Sequence, residues 1–217
     1  MTYRGRLLGW TILVAALTAL NYGARASGGK PDRDVLYHYS AAVGGVVQYG
    51  ILLGIVLALA HGPGMRERLA LRRPSSWGRT AAYVVGAIIS VYATLAVVSS
   101  FLNPGREQGL TPSHWEPRHA GAYAANFVVI AGIAPVVEEL TFRGLGFHLL
   151  RRYGEWFAVG AVGLAFGLVH GLVEGLPVLV LFGAVLALVR SRTGSVYPGI
   201  AVHVLFNTVS LIAAVTT

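Results

Sequence analysis

Apolar runs long enough to cross a bilayer recur along this chain, separated by short loops that hold most of its charge. A hydrocarbon core about 30 Å thick is crossed by about 20 helical residues. Backbone amides find no water there, so such a run is confined to the helix, which satisfies its own hydrogen bonds. Windows of about 19 residues predict spans at Leu7–Tyr22, Ser40–Ala60, Ala81–Phe101, Ala122–Thr141, Trp156–Leu172, Leu176–Val189 and Val196–Ala214. The fourth reads on as helix towards Leu150, and the sixth is short, bounded by Pro177 and Arg190. The predicted fold class is all-α: one polytopic transmembrane helical bundle of about seven spans, a single membrane domain over residues 1–217.

Charge supports that reading. Only 12% of the residues are charged, against about 25% in a soluble domain. A formal net charge of +8 would suggest nucleic acid for a soluble chain. Here the arginines fill loops between spans, where topology and anionic headgroups account for them, so the expected partner is the lipid bilayer and no nucleic acid. Arg4, Arg6, Arg66, Arg68, Arg72, Arg73, Arg79, Arg143, Arg151, Arg152, Arg190 and Arg192 fall on one side, 12 of the 17 Lys and Arg residues. On the other side Arg25, Lys30, Arg33, Arg106 and Arg118 are diluted by Asp32, Asp34, Glu107 and Glu116. The positive-inside rule predicts a cytoplasmic amino terminus and an outer carboxyl terminus. Richness in Ala, Gly, Val and Arg over Lys fits a bacterium of high GC content, hence the bacterial cytoplasmic membrane.

Arg4, Arg6, the run Leu7–Leu20 and Ala24-Arg25-Ala26 also have the outline of a cleaved signal peptide. Tyr22 and Arg25 make that cleavage region untidy and favour an uncleaved anchor. Cysteine is absent, so no disulfide or Cys-ligated metal is available. Glycines at four-residue spacing (Gly163, Gly167 and Gly171; Gly50 and Gly54) predict close helix packing.

Polar residues inside a bilayer are costly, about 2.5–3.5 kcal/mol for a charge at its centre on insertion scales, and persist when paired or functional. Three places break the apolar pattern: Glu138-Glu139-Leu-Thr-Phe-Arg143, Phe166-Gly-Leu-Val-His170 and His203-Val-Leu-Phe-Asn207. On a helix Glu139 and Arg143 stand four apart and can pair, while Glu138 points about 100° away and is left free as a base. His170 is read as deep in span five, on one face with Phe166; His203 and Asn207 share a face of span seven. At about 1.5 Å per residue, Glu138, His203 and His170 lie roughly 20, 16 and 21 Å into their helices. One carboxylate, two imidazoles and an amide thus reach similar depth from three spans.

A buried carboxylate beside an imidazole suits general-base activation of water, and His203 and Asn207 can donate to a developing oxyanion. Neither Gly-x-Ser-x-Gly nor His-Glu-x-x-His occurs. The same donors, Glu138, His170 and His203, are equally candidates to ligate Zn²⁺ with a fourth position open. The remaining histidines, His38, His61, His114, His119 and His148, fall at span ends or in loops and are assigned no chemistry.

At these residues the chain resembles the type II CAAX prenyl endopeptidases, the CPBP or ABI intramembrane proteases. Glu138-Glu139-x-x-x-Arg143, Phe166-x-x-x-His170 and His203-x-x-x-Asn207 match the family's three motifs in order, over roughly Ala120–Thr217. The resemblance implies an intramembrane endopeptidase acting on a membrane-associated or exported protein or peptide. Glu138 and His170 would activate water, His203 and Asn207 would stabilise the oxyanion, Glu139 and Arg143 would support the site, and Phe166 would shape its wall. Metal dependence is left open by the resemblance. Two other classes compete: a non-catalytic scaffold or bacteriocin-immunity protein of the same fold, and a proton-coupled transporter using Glu138 and His170, for which the inverted repeats of many transporters are missing.

Overall fold

The computed structural model describes residues 1–28, 34–102, 107, 112 and 114–216; Lys30, Asp32, Arg33 and Arg106 of the predicted outer loops and Thr217 lie outside the described residues. Among the described residues the regular elements are all helical. Seven helices carry the architecture: α1 Tyr3–Ala26, α2 Tyr39–Ala60, α3 Trp77–Ser99, α4 Pro117–Tyr153, α5 Glu155–Leu168, α6 Leu176–Thr193 and α7 Tyr197–Thr216. All but α5, which has 14 residues, are long and apolar enough to cross a membrane. The bundle is therefore the predicted helical membrane fold, with six spanning helices and one short one.

The boundaries follow from local chemistry. Thr2 caps α1 by accepting the Gly5 N–H at 3.2 Å, and Ser76 caps α3. Pro177 occupies the first turn of α6, where its missing N–H costs nothing, and Gly194 ends that helix in the left-handed conformation at φ 72°. The sixth span thus runs to Thr193, past the predicted end at Val189, and carries Arg190 inside its last turn. Gly154 separates α4 from α5. The fifth span is shorter than predicted: α5 ends at Leu168, and His170 lies on the turn beyond it. Gly171 adopts φ +67° there, and a Cβ at that position would meet the Asn21 backbone at 3.0 Å.

Lipid is the solvent for much of the surface. Val43, Val47, Ile51 and Ile55, four apart along one face of α2, are all exposed. Gly50 and Gly54 meet nothing within 4 Å, so their predicted packing role is not borne out within the chain. Gly163 does behave as predicted: a Cβ on it would lie 2.8 Å from Ala184 N and Val180 O, so only glycine lets α5 and α6 approach this closely. Gly167 faces Val180 on the same seam.

The core gathers on α4. Phe142, Arg143 and Leu145 are fully buried among Trp10, Leu149, Phe166, Phe182 and Leu186. Two stretches of α4 are wound as π-helix, Val128–Ile133 and Leu140–Gly146, and they bracket the α-helical segment Ala134–Glu139. Such turns are rare and free carbonyls from the regular ladder. In the first stretch Ala134 N–H reaches back to Val129 O. The next bond in that register would run from residue 135 to Ile130 O, but Pro135 has no N–H to give. Asn207 of α7 supplies the donor instead, Nδ2 to Ile130 O at 2.9 Å. In the second stretch Trp10 Nε1 of α1 donates to Thr141 O at 2.9 Å. The helix carrying both glutamates is thus pinned on either side by side chains of other spans.

Candidate active site

Glu138 and Glu139 leave α4 in different directions and meet different partners, as the helical angle between them predicts. Glu139 is fully buried, and its Oε1 accepts from Arg143 Nη1 at 2.6 Å and faces His203 Nδ1 at 3.0 Å. Arg143, itself fully buried, also donates through Nη2 to Gly183 O at 3.3 Å and lies 4.3 Å over the Phe166 ring. Arg143 thus touches both Glu139 and Phe166. Space around Glu139 is tight: a Cβ on Gly199 of α7 would come within 2.6 Å of Oε2.

Glu138 faces a cavity of about 580 Å³, which Phe166, His170, His203 and Asn207 also line. Its Oε1 accepts from the Tyr49 hydroxyl of α2 at 2.7 Å, and its Oε2 lies 3.7 Å from His203 Nε2. His203 therefore sits between the two carboxylates, one at each ring nitrogen. With Nδ1–H donating to Glu139, Nε2 is the nitrogen turned towards Glu138 and the cavity. Its ring packs edge-on against Phe182, with centroids 4.9 Å apart. His170 Nδ1 lies 2.7 Å from Phe166 O, so its outer nitrogen Nε2 remains for other partners. Phe166 stacks obliquely on His170, ring centroids 4.7 Å apart.

Every predicted site residue is thus accounted for. Glu138, His170, His203, Asn207 and Phe166 line one cavity; Glu139 and Arg143 lie behind it. His170 is a correction in position only, since the turn after α5 carries it. Asn207 has a structural hydrogen bond to Ile130 O that sequence reasoning did not foresee, though its second N–H is left over. Tyr49 and Phe182 were missed; a tyrosine beside Gln48 amid the apolar second span was the available signal for the first.

The candidate zinc ligands are less well disposed. Among the described residues no three His, Cys, Asp or Glu side chains are grouped to hold a metal ion. His203 is already bracketed by two carboxylates.

The turn carrying His170 is tied down by the end of α1 and by Glu107 of the segment after α3. Asn21 Nδ2 donates to Val169 O and the Tyr22 hydroxyl to Leu172 O at 2.8 Å. Glu107 accepts the N–H groups of Val173 and Gly175 at 2.8 and 2.9 Å and pairs with Arg25. Desolvation pushes the Glu107 carboxyl up, but those N–H groups and Arg25 prevail and hold it below its usual 4.5. A depressed carboxylate stabilises the fold above its unfolded value and loses that contribution as pH falls through its lowered value. Amide exchange over residues 172–175, corrected for intrinsic rates, is therefore expected to stay flat from pH 7 down to 4.5 and to rise below it, with Glu107→Gln removing the step. A flat profile throughout in the unaltered protein would contradict the clamp.

The fold and the cavity define a helical membrane protein with a carboxylate and imidazole cluster enclosed among its spans. Residues 120–209 match the family model described as type II CAAX prenyl endopeptidase Rce1-like. That stretch holds all three motifs, so the family recognised from them is the family that matches; it supports a membrane protease at that coarse level. The chain matches no curated protein and no solved structure.

Proposed function

We propose that this chain is an intramembrane endopeptidase that hydrolyses a peptide bond by water activated between Glu138 and His170. The observation that carries the reading is the shared cavity, which brings together a carboxylate, two imidazoles and an amide from α4, the α5–α6 turn and α7. Tyr49 fixes one oxygen of Glu138 and leaves the other facing the cavity. Glu138 takes a proton from water as the water oxygen bonds to the scissile carbonyl carbon, with His170 Nε2 holding that water. The carbonyl oxygen gains the negative charge and receives hydrogen bonds from His203 Nε2–H and the second N–H of Asn207. His203 acts in this step as an imidazolium between two carboxylates, an arrangement that a dry site makes effective. Glu138 then passes its proton to the amide nitrogen as the carbon–nitrogen bond breaks.

The substrate is a membrane-associated or exported protein or peptide, since the cavity opens among spans and is walled largely by apolar side chains such as Leu95, Val178, Leu179 and Phe206. In this reading the basic loops face the cytoplasm and the carboxyl terminus lies outside. The direct test incubates the purified protein, in lipid, with a mixture of membrane-anchored peptides and identifies products by mass spectrometry. Cleavage is expected with the unaltered protein and its loss, by about a hundredfold or more, with His170→Ala. Equal cleavage by both would remove His170 from the mechanism.

A further inference from the structure

A second charged cluster lies at the carboxyl end of α6, and the proposed reaction does not use it. Arg190, on the last turn of that helix, is only 3% exposed, and its Nε has no hydrogen-bond partner. Its one close contact of note is the Phe147 ring, 5.5 Å from the guanidinium carbon. Among the described residues no carboxylate pairs with it, and its charged neighbours, Arg72 and Arg151, are both cations and both exposed. Of the acids of this face, Glu155 pairs with Arg192 at 3.6 Å, and Glu67 is exposed to solvent, its charge felt by His148 and Arg68. The carboxyl end of α6 offers about half a negative charge, which leaves three guanidinium groups largely uncompensated.

The cluster is built. Ala70, fully buried, adopts φ 54°, a strained conformation for a residue with a Cβ, and its carbonyl accepts the Val196 N–H at 3.2 Å. Arg72, two residues on, donates through Nε to Gly194 O at 2.7 Å, which holds it against the end of α6. Arg151 stands four residues past Phe147 on α4, one turn along from the ring that lies beside Arg190. Three elements thus deliver three guanidinium groups to one place at the ends of spans, where headgroups lie. A buried guanidinium without an acceptor is expensive, and an anion completes it.

We propose that Arg72, Arg151 and Arg190 bind a phosphate group, and that an anionic phospholipid of the leaflet at this face supplies it. Arg190 contacts the phosphate from within the bundle, and Arg72 and Arg151 close over it from the surface.

The experiment titrates the purified full chain in neutral detergent with phosphatidylglycerol, phosphatidylcholine or sodium phosphate at matched ionic strength, and counts retained lipid by native mass spectrometry. Phosphatidylglycerol is expected to be retained one per chain, and phosphatidylcholine to be lost. Each surface arginine near a lipid phosphate is worth about fivefold in affinity, so the paired change Arg72→Gln and Arg151→Gln should weaken binding about 25-fold. Those positions are exposed, so folding is preserved; Arg190→Met tests the buried group where it folds. Competition by sodium phosphate for the retained lipid would support a site that reads phosphate. Equal retention of the two lipids, or unchanged phosphatidylglycerol binding in the paired variant, would overturn the proposal. Binding of sodium phosphate without retention of phosphatidylglycerol would overturn the lipid as its source.

Discussion

Glu138→Gln is expected to lower cleavage by about a hundredfold to ten-thousandfold, the range that general-base catalysis contributes, while leaving the protein folded. The amide keeps the shape of the side chain and can still accept the Tyr49 hydroxyl through its oxygen, so the 2.7 Å bond is preserved. What it cannot do is take a proton from water. The other contact, to His203 Nε2 at 3.7 Å, is beyond hydrogen-bond length, and the His203 ring keeps the Glu139 carboxylate at its other nitrogen, 3.0 Å away. The melting temperature in detergent should therefore stay close to that of the unaltered protein while turnover collapses. Undiminished turnover would mean that another group activates the water. A collapse of both together would make Glu138 a packing residue.

Arg143→Ala should do the reverse and act first on stability. Arg143 and Glu139 are both fully buried, and they meet at 2.6 Å. Removing the guanidinium leaves a fully buried carboxylate with the His203 ring as its remaining partner, at a cost of up to about 3–5 kcal/mol. The Gly183 O contact and the face of Phe166 lose their partner as well. Against a typical domain stability of about 5–15 kcal/mol, that is a large fraction, and accumulation in membranes should fall accordingly. The paired change Arg143→Met with Glu139→Gln should recover most of the loss, because it removes both charges together. Unchanged melting of Arg143→Ala in detergent would mean that water reaches Glu139.

The two glutamates were legible in the sequence because their difference is local. Helical geometry alone sets Glu139 beside Arg143 and turns Glu138 away, and no tertiary information is needed. The long fourth helix was legible for the same reason, since nothing between Ala122 and Leu150 forbids helix except Pro135, and the first π-wound stretch absorbs that proline. Contacts across helices were not legible. Tyr49 looks like one more residue of an apolar span until α2 is packed against α4. Asn207 reads as a free amide until the π register of α4 leaves Ile130 O without a donor. His170 was placed inside the fifth span, whereas that helix ends at Leu168; the break falls where Gly171 lies against Asn21 of α1, far away in sequence. Arg190 was read as the marker of a span's end, as basic residues commonly are; its burial depends on α4 supplying the Phe147 ring beside it.

In the proposed reaction this chain cuts peptide bonds in or near the membrane with Glu138 as the base. The most direct measurement compares the termini of membrane and exported proteins in the native host, making either the unaltered chain or Glu138→Gln at matched levels. New termini that appear only with the unaltered chain are the expected result, and they would also identify the substrate. Identical termini in the two cultures, with the protein present and folded in both, would contradict proteolysis by this site.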